Sequence, residues 1–530
     1  MRQTRTRRSK FVISLLAVPT LFVLAFVVVP VANILGRTFE DISLSLLRSS
    51  AIHQVIWFTT WQAVASTMVT LALAAPIAFC VANFEFKGQR LLTSLTSIPF
   101  ILPSIVVGIA FLSILPGSMH RTAFALIIAH AYFNFGFAAR TIGNRWLQIH
   151  PHLDDAARTL GASPAKLFST VTLPILRRSI VNTSLIVFTL SFTSYGVVRM
   201  LGGPARSTIE TEIYFRAMQL GDVSGAVLLS VVQILLVGLL FLISTRVGSR
   251  DSRRVSTPTV SRQKRIDSTK KLTVIALVGL GAIGFTVLPL LAILGKSLRT
   301  SKGFTLEGWR LVVSSTELWR GLSTSFIYAF GALIIAVLLA TIAATATVYD
   351  ENTAGFVAVL TSLPIVVSSV SIGLGVLITF DTPPFDWRGS QLMLPLAHAM
   401  IALPLAVRMI TPVLQGIPAS LRQASSVLGA TTWQTWRNID LPIIRRTIVS
   451  AAAICAAVSL GEFGASSFLV RQSNETLPVL ISRLLSRPGD ILQTQAFALS
   501  VILVLFSAGI IFVIDSFEDV SPAKRTANNA

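Results

Sequence analysis

With 530 residues, 53% hydrophobic and only 13% charged, the chain falls outside the composition of an average soluble protein. Its net charge of +21 sits in short segments beside apolar runs, a membrane-topology pattern that argues against a nucleic-acid-binding face. Cys80 and Cys455 both lie inside apolar runs and read as small buried hydrophobes, with no disulfide framework and no metal-ligand spacing.

The N-terminal MRQTRTRRSK carries five positive charges before an apolar run, Phe11 to Leu35. That run is too long for the core of a signal peptide, and it reads as a retained first span. Since about 20 apolar residues cross a bilayer, further spans are expected near 55–82, 92–115, 123–143, 179–200 and 226–246, and again near 272–295, 322–348, 355–380, 391–411, 447–469 and 494–514. Between the two sets, residues 246–271 are polar with nine Lys or Arg, which marks a cytoplasmic linker. The expected organisation is a first unit over 1–245, the linker over 246–271 and a second unit over 272–530. The loop Lys296 to Arg320 should be external yet carries five positives against Glu307 and Glu317. Its Leu306–Leu318 stretch reads as an amphipathic segment at the membrane surface. Pro99, Pro103 and Gly108 in the third span, with Pro364, Gly373 and Gly375 in the ninth, mark kinks that serve either packing or a hinge.

The informative stretch is a polar island, DDAARTLGASPAKLFSTVTLPILRR, from Asp154 to Arg178. It returns 268 residues later as RQASSVLGATTWQTWRNIDLPIIRR, Arg422 to Arg446, and the register extends from the pair His130/His398 through Arg140/Arg408 and Gly196/Gly464 to Thr208/Thr476. An ungapped match of that length makes the chain two copies of one unit. Each island reads as helix, break, helix. Gly161 supplies the turn, Ser163 a cap and Pro164 a first helical residue, with Thr431 as the corresponding cap. Leu173-Pro174 and Leu441-Pro442 are expected to end the second helical piece before the next apolar run.

The islands resemble the EAA loop of importer-type ABC permeases, with consensus E-A-A-x3-G-x9-I-x-L-P. Asp155, Ala156, Ala157, Gly161, Val171, Leu173 and Pro174 fill it once; Gln423, Ala424, Ser425, Gly429, Ile439, Leu441 and Pro442 fill it again. The leading Glu of the family is Asp155 in one copy and Gln423 in the other. The resemblance implies that both loops are coupling helices docked on two copies of an ABC ATPase subunit, which uses ATP and magnesium. It also implies an extracytoplasmic solute-binding protein. Leu201-Gly202-Gly203-Pro204, Thr208-Ile209-Glu210, Ile213-Tyr214, Ala129-His130 and Gly461-Glu462-Phe463-Gly464 make the chain most similar to the fused permeases for thiamine, with those for ferric iron next.

No hydrolase or metal signature appears. Gly295-Lys296-Ser297 lacks the earlier glycine of a phosphate-binding loop, since that position is Leu290, so ATP hydrolysis is expected from a separate polypeptide. His130 and His398, related by the repeat, read as hydrogen-bonded packing residues rather than metal ligands. Glu462 lies in an apolar span, where an ionised group costs about 2.5–3.5 kcal/mol on insertion scales. It faces the seam between halves, a partner or a cation, or is salt-bridged near the membrane edge. Glu210 and Tyr214 stand near a candidate entrance with Tyr195, although loop solvation also explains the acids. The expectation is therefore an all-α polytopic protein of the bacterial inner membrane, with twelve spans in two parallel six-helix repeats and both termini cytoplasmic. It would be a non-enzymatic permease working by alternating access, for thiamine or else ferric iron. The rival from another class is an ion-coupled secondary transporter.

Overall fold

A computed structural model of the chain describes residues 15–41, 48–248, 263–381, 386–387, 390–471 and 474–518. The N-terminal basic segment, most of the linker and the C-terminal tail lie outside the described residues. The first repeat comprises α1 (Leu15–Gly36), α2 (Ser50–Asn83), α3 (Gln89–Ile101), α4 (Ser104–Ile114), α5 (Ala123–Leu147), α6 (Pro151–Thr159), α7 (Pro164–Phe192), α8 (Gly196–Leu201), α9 (Ile209–Phe215) and α10 (Val223–Arg246). The second comprises α11 (Thr269–Ser297), α12 (Glu307–Ser314), α13 (Thr316–Tyr349), α14 (Ala354–Val366), α15 (Ser369–Thr379), α16 (Met393–Gln415), α17 (Ala419–Val427), α18 (Thr432–Gly461), α19 (Gly464–Leu469), α20 (Leu477–Leu485) and α21 (Asp490–Ile510). Strand pairing among the described residues is confined to two two-residue ladders.

Ten of these helices are long and apolar enough to cross a membrane, and the number is twelve when the bent pairs α3–α4 (103°) and α14–α15 (93°) are each counted as one span. The ends of the pair α3–α4 lie at opposite faces. At its start, Gln89 Nε2 donates to Val81 O (3.1 Å) beside the strand pair Phe84–Glu85 and Lys264–Arg265, at the end of α2. That end lies level with α6, because Phe79 packs on Trp146 (5.7 Å) at the end of α5. Beyond its other end, Arg121 lies against Gly203 on the opposite face. Leu235, Leu277 and Leu338 point outward, as hydrocarbon solvent requires.

The repeat is visible in the packing. Helix α2 lies along α5 as α13 lies along α16, and α4 nests on α8 as α15 nests on α19. The first span of each half crosses to the other half. A Cβ added at Gly375 of α15 would lie 3.0 Å from Pro30 Cβ and 3.1 Å from Ile34 Cδ1 of α1, and Asn33 Nδ2 donates to Thr379 Oγ1 (3.0 Å). Reciprocally, Tyr132 of α5 donates to Thr286 O of α11 (2.9 Å), with Phe285 edge-on to its ring.

Several sequence expectations are corrected. Leu173-Pro174 and Leu441-Pro442 do not end a helix. Each follows a π-turn in which the leucine N–H reaches back five residues, Leu173 to Phe168 O and Leu441 to Trp436 O. The widened turn takes up the proline, whose missing N–H then falls where the ladder is already shifted. The expected spans 179–200 and 447–469 are interrupted at Thr193–Tyr195 and Glu462–Phe463. Glu462 is therefore at a break, not inside a continuous helix. Residues 209–215 form a packed helix rather than a solvated loop, and Glu210 is fully buried in it. The amphipathic segment is the short α12, whose Trp309 Nε1 donates to Ser297 Oγ (3.1 Å), and α13 already begins at Thr316.

Candidate functional site

Two sets of features stand out, one on the loop face and one at the seam. On the loop face, α6 and α17 contain no buried residue. Each ends in a left-handed glycine, Gly161 (φ +79°) and Gly429 (φ +81°). The two closing bonds of such a cap are present in both: Ala162 N to Ala157 O (3.0 Å) with Gly161 N to Arg158 O (2.9 Å), and Ala430 N to Ser425 O (3.1 Å) with Gly429 N to Ser426 O (3.1 Å). Ser163 Oγ then accepts from Lys166 N, and Thr431 Oγ1 from Gln434 N, starting α7 and α18. Asp155, Ala156, Gln423 and Ala424 are exposed and Ala157 and Ser425 half-buried, while Leu173, Pro174, Leu441 and Pro442 follow the π-turns on the same face. Leu160 and Leu428, each 87% exposed, project beside the glycines. Each of α6 and α17 is thus a short helix with no core of its own and an uncovered apolar side chain at its tip.

The two loops are fixed to the body differently. In the second half, Asp440 is fully buried. It accepts from Arg422 Nε of α17 (2.9 Å) and from the Tyr349 hydroxyl of α13 (2.7 Å). Arg422 also donates to Leu414 O (2.9 Å) at the end of α16. The corresponding residues of the first half are Thr172 and Asp154, at an offset of 268, and Phe84, at the offset of 265 that holds in the earlier spans, and aromatic packing joins that loop to the body, with Trp146 on Phe79 and Phe168 and Phe79 on Phe84.

At the seam, the broken spans meet. A Cβ on Gly196 would sit 2.2 Å from Ser104 Oγ at the start of α4, and one on Gly464 would sit 2.2 Å from Ser369 Oγ at the start of α15. Only glycine permits that approach. Ser104, Ser369, Gly196 and Gly464 thereby bring four helix starts to a cavity of about 210 Å³, whose wall also holds His130, Ser194, Tyr195, Glu462 and Phe463. A larger cavity of about 570 Å³ shares Ser104, Phe133, Val458 and Gly461 with it. This one extends toward the loop face between Phe100, Phe137 and Met409 and carries Arg140 and Arg408. Rings from both halves close the opposite side: Phe463 on Tyr195 (5.0 Å), Tyr195 on Tyr214 (5.6 Å) and Tyr214 on Phe468 (5.5 Å), with Arg199 over Tyr214 (5.4 Å).

Glu462 is satisfied by the helix it precedes. Its carboxylate accepts from Ala465 N and Ser466 N (both 2.9 Å) and from Ser466 Oγ (2.8 Å), with His398 Nε2 at 3.5 Å. The start of α19 thus compensates a negative charge on the cavity wall. Glu210, in the segment between spans, accepts from Gln233 Nε2 (2.5 Å), and burial pushes its carboxyl above the ordinary range. The structure therefore brings Tyr195 and Glu462 to the cavity and stacks Tyr214 behind Tyr195. Glu210 packs behind the wall and does not line the cavity. The sequence reading passed over Phe463, Arg140 and Arg408 as pathway residues, although the register pair Arg140/Arg408 was visible in the repeat.

The family described as the binding-protein-dependent transport system inner membrane component matches the chain twice, over residues 74–254 and 332–525. The chain belongs to this family of ABC-importer permeases, as a multi-pass membrane protein carrying the domain twice. It is 30% identical over 488 residues to a thiamine transport system permease protein of Brucella abortus, covering 88% of this chain and 87% of the relative. It is 24% identical over 501 residues to a thiamine transport system permease protein of Haemophilus influenzae, covering 89% and 90%. A putative 2-aminoethylphosphonate transport system permease protein of Salmonella typhimurium is 31% identical over 229 residues, which are 42% of this chain and 85% of that one.

Proposed function

We propose that this permease carries thiamine across the bacterial inner membrane through the seam between its halves, driven by ATP. The observation that carries the reading is the likeness to thiamine permeases over 88% and 89% of the chain, a length that takes in both repeats. The cavity chemistry supports it: a cation with two aromatic rings suits a wall of Tyr195, Phe463 and the compensated carboxylate of Glu462. The units 1–245 and 272–530, joined by the linker 246–271, form the two sides of the path, with loops, linker and both termini cytoplasmic.

In this reading two ATPase subunits, which hold the ATP and magnesium, grip α6 and α17, and a solute-binding protein presents cargo on the opposite face. Closure of the ATPase pair moves the loops with it. The halves then rock so that the aromatic layer around Tyr195 and Phe463 opens while the larger cavity narrows. Reversing a 1:99 population needs about 5.5 kcal/mol of differential binding, a scale that nucleotide-driven closure supplies. The test is ATP hydrolysis by the reconstituted assembly with its binding protein. Thiamine should stimulate it severalfold, and an equal or greater response to ferric iron or a phosphonate in place of thiamine overturns the cargo assignment.

A further inference from the structure

We propose that Nε2 of His130 is a hydrogen-bond acceptor for an N–H group on the cargo as it passes the seam. The proposal rests on the reading of the seam as the translocation path and deepens it by naming a contact. His130 is 2% exposed and lines the smaller cavity. Its protonation pattern follows from its neighbour. The amide nitrogen of Gln62 donates to Ser191 O (3.1 Å) and Thr59 O (3.2 Å), which fixes the amide oxygen as the atom facing His130 Nδ1 (3.0 Å). A carbonyl oxygen only accepts, so Nδ1 carries the imidazole proton and Nε2 is left as a bare lone pair. Ser66 Oγ, 3.4 Å from Nδ1 and 3.5 Å from the same amide oxygen, sits on the Gln62 side of the ring and leaves that assignment unchanged.

Among the described residues Nε2 has no partner. The other half shows what is missing. His398, at the equivalent position, has both nitrogens engaged, Nδ1 with Ser459 Oγ (2.7 Å) and Nε2 with Ser466 Oγ (2.9 Å). The residue equivalent to Ser466 in the first half is Val198, buried and without a donor. The repeat thus keeps the histidine, on the wall of the cavity, and removes the group that would satisfy it; Nε2 itself is covered while the seam is closed, so cargo reaches it as the wall parts. A buried acceptor left unmet is costly, and a passing donor relieves it. The ligand class is a flat heterocycle bearing an N–H group, held against Tyr195 and Phe463 with that group turned to His130. For thiamine the donor is the amine on its pyrimidine ring.

The test compares uptake of thiamine with uptake of an analogue whose ring amine is replaced by a hydrogen atom. The full chain is reconstituted with its ATPase and one unchanged binding protein, so that only the permease alters the ratio. His130→Asn keeps an N–H toward Gln62 and removes the atom at Nε2. Thiamine uptake should fall about fivefold to tenfold, the worth of one hydrogen bond, while uptake of the desamino analogue stays level. His130→Gln gives up the bond to Gln62 but places an amide near Nε2, and it should keep the wild-type ratio. An unchanged ratio in the asparagine variant, or an equal fall on both cargoes in both variants, overturns the inference and leaves a packing histidine. A wild-type chain that moves no thiamine overturns the cargo reading and this contact with it.

Discussion

Replacing Asp440 with alanine is expected to destabilise the chain by about 3–5 kcal/mol, the usual cost of removing one member of a buried ion pair. The carboxylate is fully buried where three elements meet. It accepts from Arg422 in α17 and from Tyr349 at the end of α13, and Arg422 in turn holds the end of α16. Without it, a guanidinium only 16% exposed loses its counter-charge, and the second loop loses the joint that sets its angle to the bundle. The effect should be confined to that half. Thr172→Ala, at the equivalent position of the first half, should cost about 1 kcal/mol, because the joint there is the aromatic packing of Trp146 and Phe168. Thermal unfolding of both variants in one detergent checks the difference, and equal midpoints would contradict the assignment of Asp440 as the joint.

Gly136→Ala is expected to be at least as damaging to the seam. A Cβ there would lie 1.7 Å from the backbone carbonyl oxygen of Thr96 and 2.5 Å from its carbon. Backbone cannot rotate away as a side chain does, so α5 and α3 must part, at a cost of about 3 kcal/mol. The shift also moves Phe100 and Phe133, whose tilted rings pack at 5.8 Å across the same contact and line the larger cavity. A lowered melting temperature together with loss of thiamine uptake is the expected result. A variant that melts and transports like wild type would show that the two helices are less closely fixed than the structure has them.

The loops were legible because their information is local. A polar island in an apolar chain, a glycine past a helix, and Ser or Thr before the next one each act within a few residues, and the second copy repeated them in register. The breaks in the spans were not legible. Hydropathy is continuous through Ser194 and Glu462, and the reason for the breaks is a partner far away in sequence: Gly196 against Ser104 and Gly464 against Ser369. Those serines are offset by 265 residues and the glycines by 268. Leu173-Pro174 misled because proline was weighed by its own local effect, while the π-turn before it absorbs the constraint. Glu210 looked solvated for a similar reason, since the amide that receives it, Gln233, lies one helix further on. The joint at Asp440 spans 91 residues to Tyr349, and no local pattern announces it.

Whether the two loops around Gly161 and Gly429 hold a separate ATPase is decided by co-purifying that ATPase with the full chain, with a chain lacking residues 156–160, and with one lacking residues 424–428. Two ATPase subunits per wild-type chain are expected, with no stable assembly once either loop is shortened, while both shortened chains still insert and melt as folded proteins. Full co-purification of the ATPase with a shortened chain would contradict it.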